Sequence, residues 1–139
     1  MPRWTLEINS GTFSKSEKQE IANEVTKIYM DLGSPKFWVN VFFHEHDPEN
    51  FYIGTKSCNN VFVVINHAAR PFDSEEQRLG FLDRANTILK TFLEPKGLGW
   101  EFNVHEHPAV NWRINGLIPP VAHPEVLKEW VDKNEAIPY

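Results

Sequence analysis

Met1-Pro2-Arg3 opens the chain with the residues for one kind of chemistry. Methionine is usually removed before a small residue such as proline, and its loss would free Pro2 as a secondary amine. An α-amino group titrates at roughly 7.7–8.0 in water. Apolar surroundings and a nearby guanidinium both disfavour its charged form and lower that value. An amine tuned in this way is a base poised near neutral pH, which is what proton abstraction beside a carbonyl requires. From these residues alone, the plainer alternative is that Pro2 merely leads the chain into a strand.

A second chemistry is written twice, as His44-Glu45-His46 and His105-Glu106-His107. In an extended strand, alternate side chains point the same way, roughly 7 Å apart. Two imidazoles so placed can share a metal ion. Glu45 and Glu106 would not help, because each points to the opposite face, and the two pairs would have to converge. Pro48 and Pro108 follow closely, so the competing expectation is that both motifs lie in strand-exit loops in water. Cys58 is the only cysteine and sits in the polar stretch Lys56-Ser57-Cys58-Asn59-Asn60, which reads as a loop thiol with no disulfide partner.

These side chains need elements to position them. Trp4, Leu6 and Ile8 alternate with Thr5, Glu7 and Asn9, the pattern of a half-buried strand. Ser14-Lys15-Ser16-Glu17 fits a capping box. Ile21, Ala22, Val25, Ile28, Tyr29 and Leu32 then recur at helical spacing, and Gly33 and Pro35 end the helix. Phe37-Trp38-Val39-Asn40-Val41-Phe42-Phe43 is almost wholly apolar and suits a strand covered on both faces. A loop follows, in which Phe51-Tyr52-Ile53 could add a short edge strand. Val61–His67 reads as a second interior strand. Asp73 with Glu76 then signals a helix whose apolar face carries Leu79, Leu82, Ala85, Ile88, Leu89, Phe92 and Leu93. After Pro95 and Gly97, Trp100, Phe102 and Val104 alternate again.

The expected fold is therefore α+β, one domain over residues 1–139. Its two consecutive βαβ units, 1–45 and 61–107, are displaced by roughly 60 residues at each element. They would form a four-stranded mixed sheet with two helices on one face. The extension 108–139 holds an Asn115-Gly116 turn and a short helix starting at His123-Pro124-Glu125. Helices on one face leave the other face of the sheet uncovered, and self-association is the simplest cover.

At 139 residues the chain is long enough for a real core, and 41% hydrophobic with 24% charged residues describes a globular protein. A net charge of −5 argues against nucleic acid or an anionic membrane as the main partner. No apolar run approaches the ~20 residues that span a bilayer, and no signal peptide is evident, so a cytoplasmic location is expected.

Pro2-Arg3-Trp4, the 37–43 run, His67-Ala68-Ala69-Arg70, Trp100-Glu101 and Trp112-Arg113-Ile114-Asn115-Gly116 with Pro119-Pro120 together resemble the tautomerase superfamily. The branch is the one typified by cis-3-chloroacrylic acid dehalogenase, and within it the fungal oxalocrotonate tautomerase type. The resemblance implies a homotrimer whose sheets line a central barrel, no cofactor, and Pro2 as the catalytic base or acid. Two arginines after the third main strand hold the substrate carboxylate in the dehalogenase. Arg70 matches one of them, and no second follows nearby. The dehalogenase's helix-one histidine falls at Tyr29, its fourth-strand tyrosine at Asn103, and its water-activating glutamate near Ile114.

Without that glutamate, hydration or dehalogenation lacks an evident base, whereas enol–keto tautomerisation needs only one proton shuttle and an anion holder. Tyr29 would either donate to a substrate oxygen or belong to the core. Trp112 would wall the pocket or plug a subunit contact, Arg113 would replace the missing arginine, and Asn115 would bind substrate or simply make the turn. Glu101 and Glu106 would relay protons or stand solvated at a strand end. The rival readings are a hydratase or decarboxylase at the same site, and a non-catalytic trimeric binding protein.

Overall fold

The computed structural model describes residues 1–68 and 71–139. In chain order its elements are β1 (Arg3–Asn9), α1 (Lys15–Asp31), β2 (Asn40–His46), the short strands β3 (Tyr52–Ile53) and β4 (Lys56–Ser57), β5 (Val61–His67), α2 (Glu75–Leu93), β6 (Trp100–Glu106) and α3 (Pro124–Lys133). The main sheet has the order β2-β1-β5-β6. β1 runs parallel to β2 and antiparallel to β5, and β5 runs parallel to β6. Two parallel βαβ units thus meet antiparallel at the centre, the mixed α+β sheet that the pattern implied.

Alternation along β1 decides the two faces of that sheet. Trp4, Leu6 and Ile8 are fully buried, whereas Thr5 and Glu7 stand half-buried on the other side. The buried set packs with Val61, Val63 and Ile65 of β5 and with Ile21, Val25 and Ile28 of α1. From α2 it meets Phe81, Ala85, Leu89 and Leu93, so both helices cover one face. At α1 the Ser14 hydroxyl accepts from Glu17 N–H at 3.1 Å, and the Glu17 carboxylate accepts from Ser14 N–H at 2.7 Å.

Several local expectations need correction. The 37–43 run is not one strand: Lys36–Trp38 forms a 3₁₀ turn after Pro35, and β2 starts at Asn40. Hydrophobicity alone cannot separate a turn that packs from a strand that packs. Phe37 and Trp38 instead lie against Trp130 of α3, with ring centroids 6.0 and 6.3 Å away. Nor is β2 covered on both faces, since it is an edge strand and Phe42 is 44% exposed. Tyr52–Ile53 pairs with Lys56–Ser57 in a separate ribbon rather than extending the main sheet. The cap of α2 is Ser74, whose hydroxyl accepts from Gln77 N–H, not Asp73. Leu79 faces solvent, while Phe81, four residues before Ala85, takes the core position.

His44-Glu45-His46 lies inside a strand rather than in an exit loop, whereas His105-Glu106 ends β6 and His107 is the first residue of the loop beyond it. His44 and His46 close β2, and both bind the Glu7 carboxylate, His44 at 3.0 Å. Burial pulls the Glu7 carboxyl up, but hydrogen bonds from His46 and His44 outweigh it and hold the group below the usual range. Glu45 points away and meets Lys18 at 3.1 Å. Among the described residues no group of three or more His, Cys, Asp or Glu could hold a metal ion. No helix among them is long and apolar enough to cross a membrane.

Candidate active site

A second core closes over the start of the chain. Met1 is buried in a cluster with Trp38, Leu127 and Trp130, and Trp112, Ile114 and Leu117 pack against it partly buried. Pro2 is buried too, and its carbonyl accepts from Asn40 N–H at 3.0 Å as β2 begins. The Met1 amine donates to the carbonyl of Ala68, the residue that follows β5. Burial, and then the charge of Arg3, push this amine down from 8.0 to about 5. The Met1 amine is therefore mostly neutral at pH 7.

The loop after β6 is tied to the same place. His107 N–H donates to the His67 carbonyl at 2.8 Å, and the His107 Nε2 lies 2.8 Å from the Asn66 Oδ1. The Trp112 ring stands edge-on to His107, centroids 6.2 Å apart. Beyond it, Ile114 and Leu117 exchange both backbone hydrogen bonds, at 2.9 and 2.8 Å. Asn115 and Gly116 make that turn with φ of 51° and 83°, the left-handed pair that asparagine and glycine accept most readily. The turn holds Ile114 and Leu117 against the N-terminal cluster.

One buried polar atom there lacks an acceptor. Trp38 is 1% exposed, and its indole N–H has no hydrogen-bond partner among the described residues. Leaving such a donor unmet costs about 1–3 kcal/mol.

The residues singled out in the sequence divide as follows. Pro2 and Trp112 share the N-terminal end of β1. Arg70 lies outside the described residues, two positions after Ala68 in the chain. Tyr29 is a core residue: it is fully buried, its hydroxyl accepts from the Trp4 indole N–H at 3.0 Å, and its ring packs on Phe81. Asn103 stands exposed at the middle of edge strand β6, opposite Val64, which in turn pairs with Thr5 of β1. Arg113 is exposed, and its guanidinium donates to the carbonyls of Val110 and Trp112, stapling its own loop. Asn115 is exposed and makes the turn.

Trp38 and Trp130 were missed because each was assigned to an ordinary element. For Trp130 the signal was a second tryptophan, with Trp112, in a tail too short for a core of its own; nothing local pointed to Trp38.

Residues 1–135 match the family described as "Putative oxalocrotonate tautomerase enzyme". The chain belongs to that family, within the tautomerase superfamily. A solved structure described as a probable enzyme of the thermophilic fungus Aspergillus fumigatus is 40% identical, with a TM-score of 0.94 over 100% of this chain and 98% of that one. RhCC of Rhodococcus jostii RHA1 is 33% identical, with a TM-score of 0.91 over 99% of both chains. N1, a member of the cis-3-chloroacrylic acid dehalogenase family, shares the fold at 17% identity, with a TM-score of 0.71 over 92% of this chain and 89% of that one. No curated protein matches the sequence.

Proposed function

We propose that the chain, freed of Met1, is a cofactor-independent tautomerase that moves a proton on a small enol or α-keto carboxylic acid, with Pro2 as the base. The observation that supports this reading is the place of Pro2, buried at the head of β1 with its carbonyl pinned by Asn40 N–H, and the amine of the residue bonded to it is depressed there. The Pro2 nitrogen adjoins that amine by one residue and Arg3 directly, so burial and the same positive charge act on it. While Met1 is attached, the Pro2 nitrogen is an amide with no basic lone pair, and that form is non-catalytic.

In the enol-to-keto direction, the neutral Pro2 nitrogen takes the enol O–H proton as the oxygen's electrons form C=O. The ammonium then returns a proton to the carbon that had carried the double bond. Arg70 grips the carboxylate bidentately and keeps the amine neutral through its fixed charge. Trp112 walls the site. Ile114, where a water-activating carboxylate would be needed, packs in the apolar cluster, which disfavours hydration and dehalogenation. The assembly is a homotrimer with the open sheet faces turned inward, which places Asn103 and Phe42 at subunit contacts.

The test begins with intact mass to establish loss of Met1, then follows ketonisation of phenylenolpyruvate or 2-hydroxymuconate spectrophotometrically. A positioned general base contributes roughly 10²–10⁴-fold. Pro2→Ala, which leaves a displaced primary amine, should lose at least about tenfold of kcat. Arg70→Ala should chiefly raise KM. Variants that both match the parent in rate would remove the assigned site.

A further inference from the structure

The two His-Glu-His motifs take no part in the chemistry at Pro2, yet the sheet splits both in the same way. Glu45 and Glu106 turn to the helix side, where Glu45 meets Lys18 of α1 and the charge of Glu106 acts on Arg78 of α2. The histidines turn to the other side. His44 and His46 reach the Glu7 carboxylate on the open face. On β6, Trp100, Phe102 and Val104 pack against the core, so Glu101 and His105 alternate onto the open face. His107, one residue beyond β6, meets the side chain of Asn66, which lies opposite both Arg3 and His105.

The strands that carry these motifs, β2 and β6, are the two edges of the main sheet. Each edge leaves a row of backbone N–H and C=O groups for a neighbour to take up. On the reading that copies assemble with their open faces inward, the ring closes by setting the β2 edge of one copy beside the β6 edge of the next. Four imidazoles then gather at every contact, His44 and His46 from one copy and His105 and His107 from the other. Among the described residues, the other charged side chains that these strands turn to this face are Arg3, Glu7 and Glu101. With neutral imidazoles, each copy sets one positive side chain against two negative ones. With charged imidazoles it sets five against two.

We propose that these four histidines make the assembly proton-operated: once charged, they repel across the β2–β6 contact and the copies separate without unfolding. Imidazole is the side chain whose charge changes between about pH 5 and 8, which sets the range of the release. Glu7 does not cancel it. Burial pulls the Glu7 carboxyl up, but hydrogen bonds from His46 and His44 hold it below the usual range, so it stays a single negative charge facing two imidazoles.

Sedimentation velocity of the full chain at constant ionic strength, at about pH 8 and about pH 5, reads the assembly directly. The expected result is a trimer at the higher pH and, at the lower, a monomer whose far-ultraviolet circular dichroism is unchanged. In between, the dissociation constant should rise roughly tenfold per pH unit for each proton that the separated copies take up. His44→Asn with His46→Asn keeps neutral donors beside Glu7 and should hold the trimer together at the lower pH. Should that double variant not fold, salt carries the test in the parent chain. Roughly 1 M sodium chloride cuts the Debye length to about 3 Å and should restore the trimer at the lower pH. A trimer at both pH values, a chain that unfolds at the lower one, dissociation of the folded double variant, or no recovery in salt overturns the release. A chain that is not trimeric at the higher pH overturns the ring and the release together. Ketonisation is followed separately at the higher pH, so loss of Pro2 as the base leaves the release standing.

Discussion

At the head of β1 a charged amine and a buried place compete, and the amine loses its proton. The sign of the pH effects follows. The Met1 amine is pushed from 8.0 to about 5 in the folded chain, so between those values the unfolded chain holds more protons than the folded one. The stability of the Met1-bearing protein should therefore rise as pH increases through that window and fall as pH drops towards its lower end. Thermal melts at constant ionic strength read this directly. If Pro2 is the base proposed above and its freed amine is buried as that of Met1 is, kcat/KM of the Met1-free protein should climb on an acid limb whose midpoint lies below the ordinary α-amino value. A midpoint near that of a solvated amine would mean that the nitrogen stays in water. The place of Pro2 at the head of a strand was legible in the sequence because the alternation of Trp4, Leu6 and Ile8 starts just after it. Tyr29 was ambiguous for a physical reason: a tyrosine on an apolar stripe can serve the core or a ligand, and only its bond to the Trp4 indole separates the two.

Elements with redundant local signals were read directly from the sequence. α1 carries a reciprocal cap, an apolar stripe and a glycine stop, and all three agree with its span. Ser14→Ala removes the hydroxyl that meets Glu17 N–H and should destabilise the protein by about 1 kcal/mol in urea unfolding, with turnover unchanged. Phe37–Phe43 had only hydrophobicity to be read by. Its first two residues leave the sheet to pack on α3, a contact nearly a hundred residues away that no local pattern encodes. The shift of the α2 cap from Asp73 to Ser74 is of the other kind, two capable neighbours competing for one helix end.

The whole molecule has one covered sheet face and one open one. On the open face, Phe42 is 44% exposed with the Arg3 guanidinium 5.7 Å above its ring, and the Glu7–His44–His46 cluster lies alongside. If that face packs against other copies, Phe42→Glu buries an unpaired charge at the contact and should shift sizing chromatography from trimer towards monomer. An unchanged elution volume would place the assembly contact elsewhere. The need for a cover followed from strand patterning, but the second core did not. It joins both ends of the chain, so it exists only once the sheet has brought them together.

The most direct test of the central claim compares phenylenolpyruvate ketonisation by two preparations of this chain that differ only in Met1. Turnover by the Met1-free protein and none above background by the Met1-bearing protein is the predicted result. Equal rates from the two would show that the proline nitrogen takes no part in moving the proton.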